Sequence, residues 1–227
     1  MRLLFCAGIV VCAASPAIAK SVTLSPAVSG WFVGDVPEEG YDPENGDNCN
    51  TVRPGPVVWS AGTSNSGEIG NMGGYFYVDD KRASFEFDIS TFKKKVKNAT
   101  LRFSAYDQYG DGNSQNCIFA YTGDGVTTLG DYTPAGKSEI YSFGMEWNDD
   151  DGSYGLDGVF DITALLNTML KEKTDFLGIQ FATDNYADTI IGLSDMRIVI
   201  ETVPEPATLA LFGLGLTGFA LRRRSRV

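Results

Sequence analysis

The stretch Ala99-Thr-Leu-Arg-Phe-Ser-Ala-Tyr106 alternates apolar and polar side chains without interruption. Successive side chains of a β-strand point to opposite faces of the sheet, so the apolar set is expected to face a core and the polar set solvent. Residues 84–89, Ser-Phe-Glu-Phe-Asp-Ile, repeat this pattern. On this basis the inward residues are Phe85, Phe87, Ile89, Leu101, Phe103 and Ala105, and the outward ones include Arg102, Ser104 and Tyr106.

Working outward from these two strands, many short β-type runs alternate with turns rich in Gly, Asp and Asn. One segment differs: residues 164–170 have helical apolar spacing, with Asp161 or Thr163 as the capping residue. Many short strands at close spacing predict an all-β sandwich with one short helix. Residues 36–56 are predicted to be a long loop and 62–73 a turn-rich connection. The runs that favour strands are 29–33, 57–60, 74–78, 84–89, 99–106, 117–122, 138–143, 159–162, 176–182, 190–193 and 197–202.

The first 19 residues have the features of a secretory signal peptide. Arg2 precedes an apolar stretch at residues 3–14, and Ala17-Ile18-Ala19 is a small-x-small cleavage site. Signal peptidase is therefore expected to cut after Ala19. The exported chain is then expected to begin at Lys20.

The last 25 residues, 203–227, consist of three parts in a fixed order. Pro204-Glu205-Pro206 disfavours a helix, because each proline fixes φ and lacks an N–H donor. The 15 residues at 207–221 are apolar and uncharged, enough for a helix of roughly 22 Å that would span a membrane only by snorkelling or by thinning the bilayer. The chain then ends in an arginine cluster, which the positive-inside rule would keep in the cytoplasm: Arg222, Arg223, Arg224 and Arg226.

This tail resembles the PEP-CTERM protein-sorting signal of Gram-negative bacteria in all three parts. The resemblance implies that exosortase, an integral membrane enzyme, recognises Pro204, Glu205 and Pro206 as a substrate motif. It also implies that the chain is held transiently in the inner membrane by its C-terminal helix and then released to the cell surface or the extracellular matrix. The resemblance covers the tail alone, so it assigns no activity to the domain at residues 20–202.

Charge and composition restrict what the exported domain can bind. The full chain has 18 basic and 29 acidic residues; five arginines and Glu205 lie in the two flanking segments, which leaves 13 basic and 28 acidic, a net of −15. Such a charge repels nucleic acid, so no nucleic-acid partner is expected. The chain has no histidine, which excludes Ser-His-Asp and Cys-His catalysis.

Two cysteines, Cys49 and Cys117, remain after removal of the signal peptide. In an oxidising compartment an even pair predicts a disulfide between them. They are too few for a zinc site, so no firm metal site is predicted. Calcium is the candidate cofactor, through acidic loops containing Asp107 and Asp111, or Asp149 and Asp151, although the first loop lacks the ligand pattern of an EF-hand.

Outward aromatic side chains could stack on sugar rings, with Tyr106, Tyr109 and Trp147 as candidate members of a platform. Residues 100–106, 160–170 and 177–182 are similar to segments of jelly-roll domains of the carbohydrate-binding-module type. This resemblance concerns the fold and transfers no ligand residues.

The sequence therefore predicts a non-catalytic exported protein that binds exopolysaccharide. One alternative is a polysaccharide hydrolase with paired carboxylates, for which Glu86, Asp88 and Glu139 lie on predicted strands. Another is a structural or adhesive surface protein whose partner is a protein.

Overall fold

Antiparallel strands dominate the computed structural model, which describes residues 20–37, 49, 57–73, 77–109, 116–148, 153–183 and 189–202. These residues form twelve strands, one α-helix (α1, Thr163–Glu172) and a 3₁₀ turn at Leu129–Tyr132. The strands are β1 (Ser21–Leu24), β2 (Val28–Pro37), β3 (Val57–Gly62), β4 (Gly67–Gly73), β5 (Tyr77–Asp88), β6 (Val96–Tyr109), β7 (Asn116–Gly123), β8 (Ser138–Phe143), β9 (Glu146–Asn148), β10 (Ser153–Asp161), β11 (Phe176–Thr183) and β12 (Thr189–Thr202).

The strands form two antiparallel sheets that share one corner. The first sheet has the order β8-β7-β11-β5-β2-β3, and the second has the order β9-β10-β6-β12. Along the remaining edge of β12 lie β1 and β4. Because β4 also pairs with β5, it joins the two sheets. The predicted all-β sandwich with one helix is confirmed.

The core between the sheets is built from the residues that the alternation places inside. Phe85, Phe87 and Ile89 of the first sheet are fully buried, as is Leu101 of the second. Phe181 lies among aromatic rings, with its centroid 4.9 Å from that of Phe103 in an edge-to-face arrangement. All core residues belong to the compact unit Ser21–Thr202, which therefore carries its own core.

Helix α1 closes the sandwich beside the start of β6. Its buried face consists of Leu166 and Met169. The N-cap is Ile162, whose side chain makes no capping hydrogen bond, so the prediction that Asp161 or Thr163 caps the helix is wrong. Asp161, one residue earlier, accepts a hydrogen bond from the Thr163 N–H at 2.8 Å. Asn167 holds the helix to β6.

Three strands, β1, β4 and β9, lie where the sequence does not indicate them. The prediction of a turn-rich connection at residues 62–73 is wrong for its second half, which is strand β4. The stretch is rich in glycine and weak in β-propensity, but pairing with β12 and β5 overrides local preference. Strand β1 was likewise not expected and pairs with the end of β12.

Cys49 and Cys117 form a disulfide, with Cα atoms 6.1 Å apart and a sequence separation of 68. Cys117 lies on β7, on the face of the first sheet that points away from the main core. There the two cysteines pack with Phe119 and Ala182 in a second apolar cluster.

Candidate functional site

A cleft of about 680 Å³ opens at the corner where β4 joins the two sheets. We call it the corner cleft. Its floor includes Phe32 and Leu193, both fully buried. The side chains that reach into it come from both sheets and from the turn before β4: Trp31, Ser64, Ser66, Glu68, Lys81 and Tyr106.

Two aromatic rings in the cleft remain open to solvent. Trp31 of β2 and Tyr106 of β6 are each 44% exposed. Trp31 pairs in register with Ala83, which is fully buried, so the strand turns the indole toward the interior side of the sheet. At the edge of the sandwich no other strand covers this position among the described residues, and the ring therefore lines a cavity instead of the core.

Polar groups accompany the aromatic rings. Lys81 Nζ lies 3.3 Å from Glu68 Oε2, and the Ser64 and Ser66 hydroxyl oxygens are 2.6 Å apart. These groups supply donors and acceptors beside apolar ring faces. Sites of that composition fix the orientation of a ligand through a few polar contacts while the rings provide the contact area.

The cleft contains one carboxylate, Glu68, among its described lining residues. Paired-carboxylate hydrolysis needs two such groups on either side of the scissile bond. Glu86, Asp88 and Glu139 do not line the corner cleft: Asp88 accepts a hydrogen bond from Ser90 N–H in an exposed turn, and Glu139 is exposed on β8.

Glu86 differs from the outward position that the sequence indicates for it, because residues 124–137 cover that face of the first sheet. Its carboxylate accepts hydrogen bonds from the Asp124 and Gly125 N–H groups at 3.1 and 2.6 Å. Burial raises the pKa of Glu86 and likewise that of Asp131 in the covering segment. Both carboxyls are buried, so they hold the segment in place and do not face a substrate.

Further along β5 the same covered face carries an ion pair. Arg82 and Asp80 lie 2.9 Å apart, and the Tyr132 hydroxyl donates to Asp80 at 2.8 Å. Lys137 donates to Gln180 Oε1 at 3.3 Å above the Phe119 ring, and burial, with nearby Arg82, lowers its pKa to about 8. The alternation of β5 reveals its core face but not that its polar face is also buried.

The structure brings one of the predicted platform residues into the cleft, Tyr106. Tyr109 lies on β6 and Trp147 on β9, but their side chains are outside the described residues. Trp31 was not singled out as a platform residue. Its exposure follows from its place at the corner between the two sheets, which no local pattern indicates.

The calcium candidates fall mostly outside the described residues, which exclude Asp111, Asp149 and Asp151. Asp107 lies on β6 opposite Ile191. Within the part of the chain that the structure describes, no group of three Asp, Glu, Cys or His side chains is placed to hold a metal ion. Calcium binding stays a prediction.

The fold and the cleft define a β-sandwich with a solvent-open aromatic site. A family model described as the PEP-CTERM protein-sorting motif matches residues 202–224. The chain thus carries the signal of an exported protein that associates transiently with the membrane and is processed by exosortase. No curated protein matches the chain.

The sorting motif Pro204, Glu205 and Pro206, the cluster Arg222, Arg223, Arg224 and Arg226, and the cleavage residues Ala17 and Ala19 lie outside the described residues. Among the residues that are described, no helix has the length and apolar character required to cross a membrane.

Proposed function

We propose that this protein is a non-catalytic surface or matrix component that holds a polysaccharide chain in the corner cleft. The observation that supports this function is the pair of exposed rings, Trp31 and Tyr106, on opposite sheets of one cleft. Sugar rings present apolar C–H faces and polar edges. An indole and a phenol, flanked by hydroxyls and a Lys–Glu pair, complement both.

The export and sorting signals indicate where in the cell this binding would take place. A signal peptide cut by signal peptidase and a tail processed by exosortase would deliver the unit Ser21–Thr202 to the cell surface or beyond it, where it could meet an exported polysaccharide. The single carboxylate in the described part of the cleft supports binding over hydrolysis. No cofactor is part of this proposal.

The test is calorimetric titration of residues 20–202 with the exopolysaccharide of the producing cells, with reducing ends assayed in the same samples. We expect saturable heat and no new reducing ends. Trp31→Ala and Tyr106→Ala should each weaken binding by about fivefold, because each removes one stacking surface of about 1 kcal/mol. Addition of calcium or of a chelator should leave the heat unchanged.

Trp59→Ala is the matched control. Trp59 on the neighbouring strand β3 is 42% exposed but does not line the corner cleft, so its loss should leave the affinity unchanged. Equal losses from Trp59→Ala and Trp31→Ala would refute the cleft as the site. New reducing ends would favour the hydrolase, and no binding by the wild type would favour a protein partner.

A further inference from the structure

Two arginines lie directly opposite each other on the outer face of the second sheet. Arg102 of β6 and Arg197 of β12 are register partners. Directly opposite residues of antiparallel strands have Cα atoms about 4.5–5.5 Å apart, and like charges in such positions destabilise a sheet. The domain has more than twice as many acidic as basic residues, so this pairing of two cations needs an explanation.

A β-bulge places Arg197 in that position. Ser194 pairs with Ser104, but the next paired residue is Arg197 with Arg102, so β12 contains one extra residue. Asp195 adopts φ 53°, and its carbonyl accepts a hydrogen bond from Arg197 Nη1 at 2.9 Å. Without the extra residue the side chains beyond it would change faces, because the strand period is two.

The guanidinium groups of Arg102 and Arg197 keep hydrogen-bond donors that can bind an anion. Each guanidinium has five N–H donors; Arg197 uses one on Asp195, and Arg102 Nε lies 3.5 Å from Thr100 Oγ1. Among the ion pairs between described residues, none involves either arginine.

The carboxylates nearest by register already have partners. Asp157 and Asp161 of β10 pair with Ser104 and Thr100, the outward residues on either side of Arg102 along β6. Asp157 accepts a hydrogen bond from the Ser104 hydroxyl at 2.6 Å. Asp161 accepts one from the Thr163 N–H at the start of α1.

We infer that Arg102 and Arg197 bind the carboxylate of a uronic acid residue in the polysaccharide that occupies the corner cleft. This inference rests on the proposed function and specifies its ligand as an acidic polysaccharide. Arg102 and Tyr106 lie on the same face of β6, four residues and so roughly 13 Å apart along the strand. One extended glycan chain can therefore contact both. Paired guanidinium forks match the planar carboxylate bidentately.

The charge of the domain favours a sparsely charged polymer. A net of −15 repels a polyanion at long range, whereas at physiological salt that repulsion is screened beyond about 8 Å. A glycan in which uronic acids alternate with neutral sugars places one carboxylate on the arginines and neutral rings in the cleft. A densely phosphorylated or sulfated polymer would be repelled at every residue.

The first experiment follows side-chain NMR signals of residues 20–202 during titration with methyl glucuronide and, separately, with methyl glucoside. We expect the glucuronide alone to shift the Nε–H signals of Arg102 and Arg197 saturably, while either sugar shifts the indole signal of Trp31. Arginine signals that do not move, or that move equally with both sugars, overturn the inference. An unmoved Trp31 signal counts separately against the proposed function of the cleft.

The second experiment compares hyaluronan, in which glucuronate and a neutral sugar alternate, with the same polymer after reduction of its carboxyl groups. Carboxyl reduction should weaken binding at least about tenfold, as should the variant Arg102→Gln/Arg197→Gln. Arg102→Lys/Arg197→Lys should recover only part of the affinity, because lysine keeps the charge but not the fork.

The charge-matched control is Lys93→Gln/Lys95→Gln, in the exposed turn before β6. It should bind hyaluronan like the wild type. If the lysine-to-glutamine and arginine-to-glutamine variants weakened binding equally, the effect would be one of net charge, and the inference would be overturned. The arginine-to-glutamine variant should unfold at a temperature no lower than the wild type, because it removes a like-charge pair. Equal affinity of the wild type for the two polymers also overturns the inference, and binding to neither overturns it together with the proposed function.

Discussion

At the scale of single residues, Glu86 couples the stability of the domain to pH. It is 2% exposed, and its pKa is raised chiefly by burial, so the folded state holds its proton more tightly than the unfolded chain. Stability from such a group is fully present below the unfolded pKa, near 4.5, and is lost as pH rises through the higher folded pKa. Asp131 acts with the same sign.

We therefore expect Glu86→Gln to flatten the fall in unfolding free energy as the pH rises above about 4.5, a slope of at most about 1.4 kcal/mol per pH unit for one proton. The amide oxygen can still accept from the Gly125 N–H. Its NH₂ group can also donate to the buried Tyr121 hydroxyl nearby. Urea denaturation at a series of pH values measures the slope.

Asp88→Asn is the control for this measurement. Asp88 lies on the same strand but is exposed, and hydrogen bonds from Ser90 lower its pKa. Its contribution is present above its unfolded pKa and is lost in acid, which is the opposite sign. A Glu86→Gln protein that kept the wild-type slope would mean that Glu86 binds its proton equally tightly in the folded and unfolded states.

At the scale of elements, Asn167 attaches helix α1 to the sandwich. Its side-chain oxygen accepts from the Val96 N–H at 2.8 Å, and its side-chain nitrogen donates to the Val96 carbonyl at 3.2 Å. Asn167→Ala removes both bonds, and we expect it to lower the unfolding free energy by about 2 kcal/mol, since the part-buried Val96 groups lose their partner. Chemical denaturation gives this value directly.

Thr168→Ala, one position along the helix, is the comparison variant. Thr168 is exposed and bonds only within the helix, to the Ala164 carbonyl. Its loss should change stability by less than about 0.5 kcal/mol. Equal effects of the two substitutions would mean that the contact with β6 contributes nothing beyond helix propensity.

The elements also show how far sequence reasoning extends. The strands around Phe85 and Phe103 were predictable because the alternation of apolar and polar residues indicates which face of a strand packs against the core. Strand β4 was not, because it is specified by pairing with β12 and β5 and not by its own residues. The burial of Glu86 depends on a segment some 40 residues later in the chain, and alternation along β5 carries no information about it.

The candidate sites likewise combine features that the sequence indicates with features that only the fold creates. Tyr106 was predicted to face outward and does, but Trp31 meets it in one cleft only through the corner of the fold. The pairing of Arg102 with Arg197 depends on a bulge that shifts register by one residue. Neither juxtaposition has a local signature in the sequence.

At the scale of the whole molecule, the Cys49–Cys117 disulfide closes a loop of 68 residues. A loop of that length corresponds to about 4 kcal/mol of stabilisation in the chain-entropy model. We expect Cys49→Ser/Cys117→Ser to lower the Tm by about 10 °C for a domain of this size. Thermal unfolding with and without reductant measures the same quantity in the wild type, and alkylation of both thiols without reductant would contradict the bond.

The sorting tail carries the signal for export and for transient association with the membrane. Replacing Pro204, Glu205 and Pro206 with alanine should prevent exosortase processing, so the chain keeps its apolar segment and accumulates in the membrane fraction at its unprocessed mass. Cell fractionation and intact-mass analysis follow this. Thr208→Ser, just beyond the motif, should be processed normally. Normal processing of the triple alanine variant would mean that the Pro-Glu-Pro motif is not required for recognition.

The pairing of β12 has a mechanical consequence. The strand that ends at Thr202 is bonded to β6 over most of its length, to β4 near its start and to β1 near its end. Tension applied to the chain after Thr202 therefore loads these ladders in shear, so many hydrogen bonds resist together instead of opening one at a time. Ser21 pairs with Glu201, so the two ends of the unit lie side by side, and a force on one end is applied next to the other end. If the cleft held a polymer under flow, the drag would pass from the sandwich to the chain after Thr202 through β12 and the strands paired with it.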